Sequence, residues 1–256
     1  MATEPLTITT EAGHKLSGSL ELPEGEVRGC ALFAHCFTCT KQSRAAVALS
    51  RALAARGMAT LRFDFTGLGG SEGEFGRAGF TTDVADLVAA AQHLHARFAG
   101  PLLLVGHSLG GAAVLAAADD IGGDRIGAIA TIGAPAEVHH VLGNLKGDVE
   151  AITRQGEAEV TIGGRPFSIS REFVERAEQT DLLGEVARLR KPLMILHAPT
   201  DTQVGIENAE ALFKAARHPK SFVSLDRADH LLTDGEDADF AAAVIAAWAG
   251  RYVAVA

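Results

Sequence analysis

One serine of this chain lies in a sequence pattern that can make it a nucleophile. Ser108 is the middle residue of G-H-S-L-G, which follows the apolar run 102–105 and precedes the small residues 111–118. This order predicts a strand, a sharp turn and a helix, and the two glycines let the turn pass close to neighbouring backbone. We call residues 106–110 the elbow. The pattern predicts that Ser108 is held on a strained turn, ready to attack a carbonyl carbon.

A serine hydroxyl is a weak nucleophile at neutral pH and needs two partners. A histidine must take its proton, and an acid must hold that histidine in the right tautomer. After an elbow the acid precedes the histidine along the chain, which selects Asp201 and His230, each placed just after a predicted strand. Asp226 and Asp229 are alternatives for the acid, but residues so near to His230 in sequence cannot easily reach its ring. We expect Ser108, Asp201 and His230 to meet at one edge of the sheet.

The reaction also needs two hydrogen-bond donors for the negative charge that develops on the acyl oxygen. The Leu109 N–H, directly after the nucleophile, is predicted to be the first donor. The second is expected from the loop after strand 30–35, with the Phe37 N–H as first choice and the Cys36 N–H as the alternative. His35, at the end of that strand, could be read as a base or a ligand. We interpret it as a support that holds the loop by hydrogen bonds.

Three cysteines lie close together, at positions 30, 36 and 39. An odd number cannot form a complete set of disulfides, so free thiols in a reducing cytoplasm are expected. The spacing of Cys36 and Cys39 also fits a redox pair or half of a zinc site. The sequence holds no second cysteine pair, so no metal site and no cofactor are predicted.

Composition narrows the class of protein. A length of 256 residues suits one α/β domain over 1–256, and 47% apolar with 21% charged residues is typical of a globular chain. A net charge of −9 argues against nucleic acid or an anionic membrane as partner and favours a small-molecule ester. The N-terminus lacks an export leader, and no run of about 18 apolar residues occurs. A cytoplasmic protein without membrane insertion is therefore expected, and assembly of identical copies stays open.

The chain alternates predicted strands and helices. Strands are predicted at 7–9, 15–22, 30–35, 58–63, 102–105, 126–132, 193–197 and 222–225, and helices at 43–56, 80–98, 111–118 and 237–249. The first two strands should pair antiparallel. The alternation that follows predicts a mostly parallel sheet with helices on both faces.

Residues 136–191 are far more than a crossover between two strands needs, which predicts an inserted cap of a hairpin plus helices. Alternation over 159–169 around Gly163 and Gly164 predicts the hairpin, and Ser170 is placed to cap a helix. A cap above the elbow would shape the substrate pocket and exclude water. Additional core packing without a role at the site is the alternative.

Candidate substrate contacts are few at this stage. The histidines of the cap are expected mainly at its surface, and its phenylalanines mainly in its core. One of these side chains could line the pocket. The candidates are His35, His107, His139, Phe167 and Phe173, together with His140 beside His139.

Four segments together resemble a known group of proteins. They are AHCFTC at 34–39, RFDFTGLG at 62–69, GHSLGG at 106–111 and IGAP at 132–135. Over nearly the whole chain the sequence resembles the bacterial α/β-hydrolase superfamily, and more narrowly the hydrolase half of bifunctional proteins fused to an OsmC-like peroxide-reducing domain.

The resemblance implies a carboxylesterase or related acyl hydrolase without a cofactor, with Ser108, Asp201 and His230 as its triad. Members of the superfamily usually carry His-Gly where this chain has His35-Cys36. This difference leaves the choice of the second oxyanion donor open. No OsmC-like segment follows, so the peroxide chemistry of the fused relatives is not expected. Asp64 belongs to a loop that packs beside the site in such hydrolases, and a turn role is expected for it.

The predicted function is hydrolysis of a carboxylic ester through an acyl-enzyme on Ser108. Five alternatives stay open. The same triad could act on thioesters or amides, or transfer the acyl group to an alcohol. The chain could bind a ligand in a hydrolase pocket without turnover. Cys36 and Cys39 could support a thiol peroxidase.

Overall fold

The apolar runs of the sequence become the strands of a central sheet. The computed structural model describes residues 1–139, 149–162 and 165–253, with backbone only at 77, 78, 162 and 165. The described strands are β1 (Ala2–Thr9), β2 (Lys15–Leu22), β3 (Gly29–Ala34), β4 (Met58–Phe63), β5 (Leu102–His107), β6 (Ile126–Ile132), β7 (Glu157–Ile162), β8 (Arg165–Ser170), β9 (Leu193–His197) and β10 (Lys220–Ser224).

Helices connect most of these strands. The described helices are α1 (Arg44–Ala55), α2 (Phe75–Arg97), α3 (Leu109–Ala116), α4 (Ala118–Ile121), α5 (Val149–Gln155), α6 (Arg171–Gln179), α7 (Leu182–Arg188), α8 (Ile206–Ala215) and α9 (Gly235–Ala249).

The main sheet has eight strands in the order β1-β2-β4-β3-β5-β6-β9-β10. β1 pairs antiparallel with β2, and β2 pairs antiparallel with β4. Every other neighbouring pair of this sheet is parallel. The mostly parallel sheet predicted from the sequence is therefore confirmed, and β3, β5, β9 and β10 present their carboxyl ends at one edge.

Side chains of the central strands point alternately to two hydrophobic clusters. On β5, Leu102 and Leu104 belong to one cluster and Leu103 and Val105 to the other. The first cluster includes α2 and α3, and the second includes α1 and α9. This period of two places a layer of helices on each face, which confirms the α/β class.

Two helices differ from the sequence prediction. α2 begins at Phe75 instead of position 80, because Gly79 adopts φ 71° and ψ 167° and a helical turn forms before this break. From the sequence, a glycine at this position indicates the start of a helix. In the structure Gly79 only kinks the helix. α8 was not predicted at all, since its apolar stripe is short, with Ala209 and Leu212 as its buried residues.

Within the segment 136–191 the structure describes α5, the β7–β8 hairpin, α6 and α7. β7 and β8 pair antiparallel, with Glu157 opposite Ser170 at one end and Ile162 opposite Arg165 at the other. The predicted turn residues Gly163 and Gly164 lie outside the described residues. The Ser170 hydroxyl accepts a hydrogen bond from Phe173 N at 3.2 Å, so it caps α6. The hairpin and α6 both pack on α2.

The cysteine prediction is wrong for two of the three residues. Cys36 and Cys39 form a disulfide, whereas Cys30 is free and buried. The physical reason is a turn in which Cys39 N donates to Cys36 O at 3.1 Å, bringing the two Cα atoms to 5.3 Å. Burial raises the pKa of the Cys30 thiol to about 12.

The described residues contain neither a membrane-spanning helix nor a cluster of metal ligands. No helix among them has the length and apolar character needed to cross a bilayer. In the same part of the chain, no three histidine, cysteine or acidic side chains come together in a way that could hold a metal ion.

Candidate active site

Ser108 lies at the tip of the turn between β5 and α3. Its backbone adopts φ 54° and ψ −126°, a conformation that few residues other than glycine adopt. The turn fits only because its flanking glycines lack side chains. A Cβ on Gly106 would lie 2.3 Å from Gly110 O, and a Cβ on Gly110 would lie 2.4 Å from Ala34 O. The elbow predicted from the sequence is therefore present as a strained strand-turn-helix.

The structure brings Ser108, His230 and Asp201 together in one hydrogen-bonded row. His230 Nε2 lies 2.9 Å from Ser108 Oγ, and His230 Nδ1 lies 2.7 Å from Asp201 Oδ2. All three side chains are buried, with 8–9% of each residue exposed. Ser108 and Asp201 follow β5 and β9, and His230 follows β10, so the common sheet edge positions them.

The Asp201 carboxylate is held by three hydrogen-bonding groups. Its Oδ1 accepts hydrogen bonds from Gln203 N at 2.9 Å and Val204 N at 3.0 Å, while Oδ2 faces His230. Burial pushes the pKa of Asp201 upward, but the hydrogen bonds from His230 and from the two amides outweigh it and leave this pKa below its usual value. The Nε2 of buried His197 lies 3.7 Å from Asp201 Oδ2. Asp201 is therefore ionised at neutral pH.

His107, inside the elbow, supports the loop that carries His230. Its Nε2–H donates to the backbone carbonyl of His230 at 2.6 Å. Burial and the nearby His230 lower the pKa of His107 to about 4, so the ring is neutral at neutral pH. The rival acids lie outside this row: Asp226 is exposed, and Asp229 accepts a hydrogen bond from Thr233 N at 2.9 Å.

Three backbone amides near Ser108 are candidates for binding the oxygen of a substrate carbonyl. Leu109 is the first residue of α3, so its N–H has no acceptor within the helix. Within the described part of the chain, the amides of Cys36 and Phe37 donate to no protein acceptor. All three residues line one small cavity. Both candidates for the second donor therefore lie beside Leu109, and the geometry favours neither.

The loop between β3 and α1, residues 35–43 and called the β3–α1 loop below, is fastened to β4 by a buried ion pair. Lys41 Nζ lies 2.5 Å from Asp64 Oδ2, and Lys41 N donates to Asp64 Oδ1 at 2.6 Å. Gly70 N donates to the same carboxylate at 2.9 Å. Asp64 thus does more than shape a turn, because it fixes the end of the loop that carries Cys36 and Phe37.

A second buried charge pair continues this network. Arg62 Nε donates to Lys41 O at 2.8 Å, and Arg62 Nη1 lies 2.5 Å from Glu21 Oε1. Arg62 and Glu21 are both almost completely buried. Sequence analysis missed Lys41, Arg62 and Glu21. The sequence did hold one sign of this network. Arg62 and Asp64 alternate with phenylalanines at 62–65, so two charged residues lie in or next to an apolar strand.

The predicted substrate contacts occupy different environments. His35 is buried, and its Nδ1–H donates to Cys36 O at 2.9 Å. His139 is exposed, 3.3 Å from Glu137, and His140 lies outside the described residues. Phe173 is buried and Phe167 is half-buried.

These two cap phenylalanines reach the β3–α1 loop through ring contacts. The ring centroids of Phe37 and Phe173 are 6.0 Å apart, and Phe75 lies 5.3 Å from both Phe37 and Phe167. We call Phe37, Phe75, Phe167 and Phe173 the aromatic cluster. It joins the inserted segment to the loop that carries the candidate oxyanion donors.

Comparisons with known proteins find hydrolases along the chain. A model of the family described as serine aminopeptidase, S33, matches residues 25–147. The solved esterase domain of a Rhodothermus marinus protein is 48% identical, with 98% of this chain and 99% of that chain covered and a TM-score of 0.80.

More distant solved structures share the fold. Est1E from Butyrivibrio proteoclasticus, solved with ferulic acid bound, is 23% identical over 95% of this chain and 97% of its own, with a TM-score of 0.77. Mouse α/β-hydrolase domain-containing protein 10 is 22% identical over 96% of this chain and 98% of its own, also with a TM-score of 0.77. Comparison with curated proteins gave no match. Because nearly half of all residues are shared with the esterase domain along almost its full length, the chain belongs to the α/β-hydrolase superfamily and is a hydrolase.

Proposed function

We propose that the protein is a serine hydrolase that cleaves carboxylic esters through an acyl-enzyme on Ser108. The observation that carries this proposal is the continuous row from Ser108 Oγ through His230 to the Asp201 carboxylate, at 2.9 and 2.7 Å. A row with these distances can move a proton off the serine as it attacks. The esterase domain that is 48% identical supports the same class of reaction.

In the first half-reaction His230 Nε2 takes the Ser108 proton while Oγ attacks the ester carbonyl carbon. The proton on His230 Nδ1 stays there and keeps its hydrogen bond to the Asp201 carboxylate, which stabilises the imidazolium that forms. Collapse of the tetrahedral intermediate breaks the bond to the alcohol oxygen, and His230 Nε2–H protonates that oxygen as the alcohol leaves. In the second half-reaction His230 Nε2 takes a proton from a water molecule as the water oxygen attacks the acyl carbon. The bond between the acyl carbon and Ser108 Oγ then breaks, and His230 returns the proton to Oγ as the carboxylic acid leaves.

Backbone amides supply the electrostatic part of this mechanism. The Leu109 N–H is the first proposed donor, and Phe37 N–H the second, with Cys36 N–H as the alternative. Loss of one such donor typically lowers kcat by about 10² to 10³. No metal ion and no cofactor take part in the proposed reaction.

We assign the segment 136–191 to a cap over the sheet edge, within a single domain that spans 1–256. The aromatic cluster supports this assignment, because Phe173 contacts Phe37 and Phe167 contacts Phe75, which itself contacts Phe37. We propose that the half-buried rings of Phe37 and Phe167 border the acyl pocket, while Phe173 anchors the cap. His35 and His107 then act as supports of the site, and exposed His139 lies at the edge of the cap.

Several finer predictions stay proposals. The partner is a small-molecule ester, with no role for nucleic acid or membrane, and self-assembly is open. The resemblance to the hydrolase half of OsmC-fused proteins and the cytoplasmic location also stay predictions. The disulfide between Cys36 and Cys39 removes the free-thiol argument for that location.

Hydrolysis of p-nitrophenyl esters from acetate to dodecanoate, by the native protein and by Ser108→Ala, tests the proposed function. We expect turnover by the native protein and none by the variant, and the best chain length then measures the acyl pocket. Ser50→Ala is the matched control, because Ser50 is buried in α1 and its hydroxyl has no hydrogen-bond partner among the described residues. This control should keep native activity.

Parallel assays separate the alternatives. Acyl thioesters and aminoacyl p-nitroanilides are offered to the same two proteins, since the family model is described as serine aminopeptidase. Faster turnover of either class than of every ester would replace the ester assignment. A fluorophosphonate that labels native protein but not Ser108→Ala would show a reactive serine; absence of both labelling and turnover would leave binding without catalysis.

A further inference from the structure

A small cavity lies directly behind the β3–α1 loop. It is lined by His35, Cys36 and Phe37 of the loop, by Leu109 and Ala113 of α3, and by Asp83 of α2. Its volume is about 10 Å³. A space of this size holds about one water molecule and no larger ligand.

His35 brings an unsatisfied polar atom to this cavity. Only 2% of the residue is exposed, and its Nδ1–H donates to Cys36 O at 2.9 Å. Burial lowers the pKa of His35, so the ring is neutral and Nε2 carries a lone pair. Among the described residues Nε2 has no hydrogen-bond partner. The ring is fixed from the side by Phe65, whose centroid lies 4.9 Å away at an interplanar angle of 78°.

Asp83 brings a proton donor to the same cavity. It lies on α2 with 5% of the residue exposed. Burial and the neighbouring Asp86 carboxyl raise the pKa of Asp83 well above its usual range. The Asp83 carboxyl is therefore neutral at neutral pH and can both donate and accept a hydrogen bond. Most of the remaining lining is aromatic or aliphatic, so these two side chains are the chief polar side-chain contacts for a molecule inside it.

We propose that one buried water molecule occupies this cavity, donates to His35 Nε2, accepts from the Asp83 carboxyl, and so holds the β3–α1 loop in its working position. His35 and Asp83 are then positioning residues: they touch no substrate and act through the backbone amides of Cys36 and Phe37. This role rests on the proposed function, because positioning matters only if those amides bind the acyl oxygen.

A high-resolution crystal structure of the native protein tests the water directly. We expect density for one water within about 2.7–3.2 Å of both His35 Nε2 and the Asp83 carboxyl. A cavity without density, or a water that contacts neither side chain, would overturn the proposal. This result does not depend on finding a substrate, so it separates failure of this inference from failure of the proposed function.

Kinetics of Asp83 variants test the positioning. Asp83→Leu removes the donor, and with p-nitrophenyl acetate we expect kcat to fall about 10-fold, less than for loss of an oxyanion donor, with KM within about twofold. Asp83→Asn keeps a donor and should stay within about threefold of native kcat. Gln92→Leu is the matched control, because Gln92 is exposed on the same helix and does not line the cavity, and its kcat should stay at the native value.

A second substitution covers the case in which Asp83→Leu does not fold. Ala113→Val adds two methyl groups from the α3 side and fills the space for the water, so kcat should fall while KM stays near native. Native kcat in both Asp83→Leu and Ala113→Val would refute the positioning role. An Asp83→Asn kcat as low as that of Asp83→Leu would also refute it, because the retained donor would then not matter.

Discussion

At the sheet edge, Asp201 and Asp64 each accept hydrogen bonds from three groups, and both carboxylates are buried. The inserted segment reaches the same site differently, through phenylalanine rings 5.3–6.1 Å apart. Hydrogen bonds to charge are directional, and losing one partner leaves the other buried and unpaired. Ring contacts tolerate shifts and exchanges of apolar side chains. The comparison suggests that the sheet edge fixes the chemistry while the inserted segment can change the substrate range.

The most severe test of the sheet edge is Asp201→Asn. The amide NH₂ can force His230 into the wrong tautomer, and comparable substitutions in Ser-His-Asp triads lower kcat about 10⁴-fold. We expect such a loss with p-nitrophenyl acetate, together with a near-native circular dichroism spectrum. Thr202→Ala, at an exposed neighbouring position, serves as control and should keep full activity. A variant with more than about a tenth of native kcat would contradict Asp201 as the acid.

The next effect is on stability and concerns Lys41→Met. The Lys41 side chain is 11% exposed and that of Asp64 only 1%, so the substitution leaves a buried carboxylate without its cation. Breaking such a pair typically costs about 3–5 kcal/mol, which urea unfolding would show. Lys214→Met breaks an exposed i,i+4 pair with Glu210 and should leave the unfolding midpoint almost unchanged. Equal midpoints for both variants would mean that the buried pair does not hold the β3–α1 loop.

A smaller effect is expected from Cys36→Ser combined with Cys39→Ser. The disulfide joins residues three positions apart, and closing so short a loop restricts the unfolded chain by about 2 kcal/mol. The double variant should unfold at correspondingly lower urea concentration. Dithiothreitol should lower the midpoint of the native protein to the same value and leave the double variant unaffected. A native midpoint that does not respond to reductant would argue that this pair is not oxidised in solution.

The smallest effect on the chemistry is expected from Gly76→Ala, which addresses the inserted segment alone. A Cβ on Gly76 would lie 1.2 Å from Ser168 O, so the β7–β8 hairpin must move away from α2. We expect kcat for the acetate ester to stay within about tenfold, since the Ser108 row is untouched, while longer esters gain relative to acetate. Gly235→Ala is the control, because nothing lies within 4 Å of its Cβ. If the relative rates for short and long esters did not change, the hairpin would have no part in selecting the substrate.

The sequence predicted those parts of the site that depend on local patterns and strand order. Ser108 was found because the elbow is a local pattern. Asp201 and His230 were found because parallel strands end at one sheet edge, so a residue after each strand must lie nearby. The hairpin at β7–β8 followed from turn residues and alternation in the same way.

Pairings between distant segments were not predictable in the same way. Lys41 and Asp64 belong to different elements, and only the packing of the β3–α1 loop on β4 brings them together. Asp83 lies near the start of the helix predicted at 80–98, where acidic residues are common, so nothing in the sequence marks it as a buried residue. The disulfide was missed because an odd cysteine count says nothing about which two cysteines a turn brings close.

The backbone of Ser108 has a consequence for protein engineering. A serine at φ 54° carries conformational strain of order 1–3 kcal/mol that glycine would not carry. Selection of variants for thermal stability alone would therefore favour glycine at the one position where the proposed reaction needs a hydroxyl. Activity and stability therefore make opposite demands on residue 108. A variant that keeps Ser108 has to gain stability at another position, for example at Ser50, whose buried hydroxyl has no hydrogen-bond partner among the described residues.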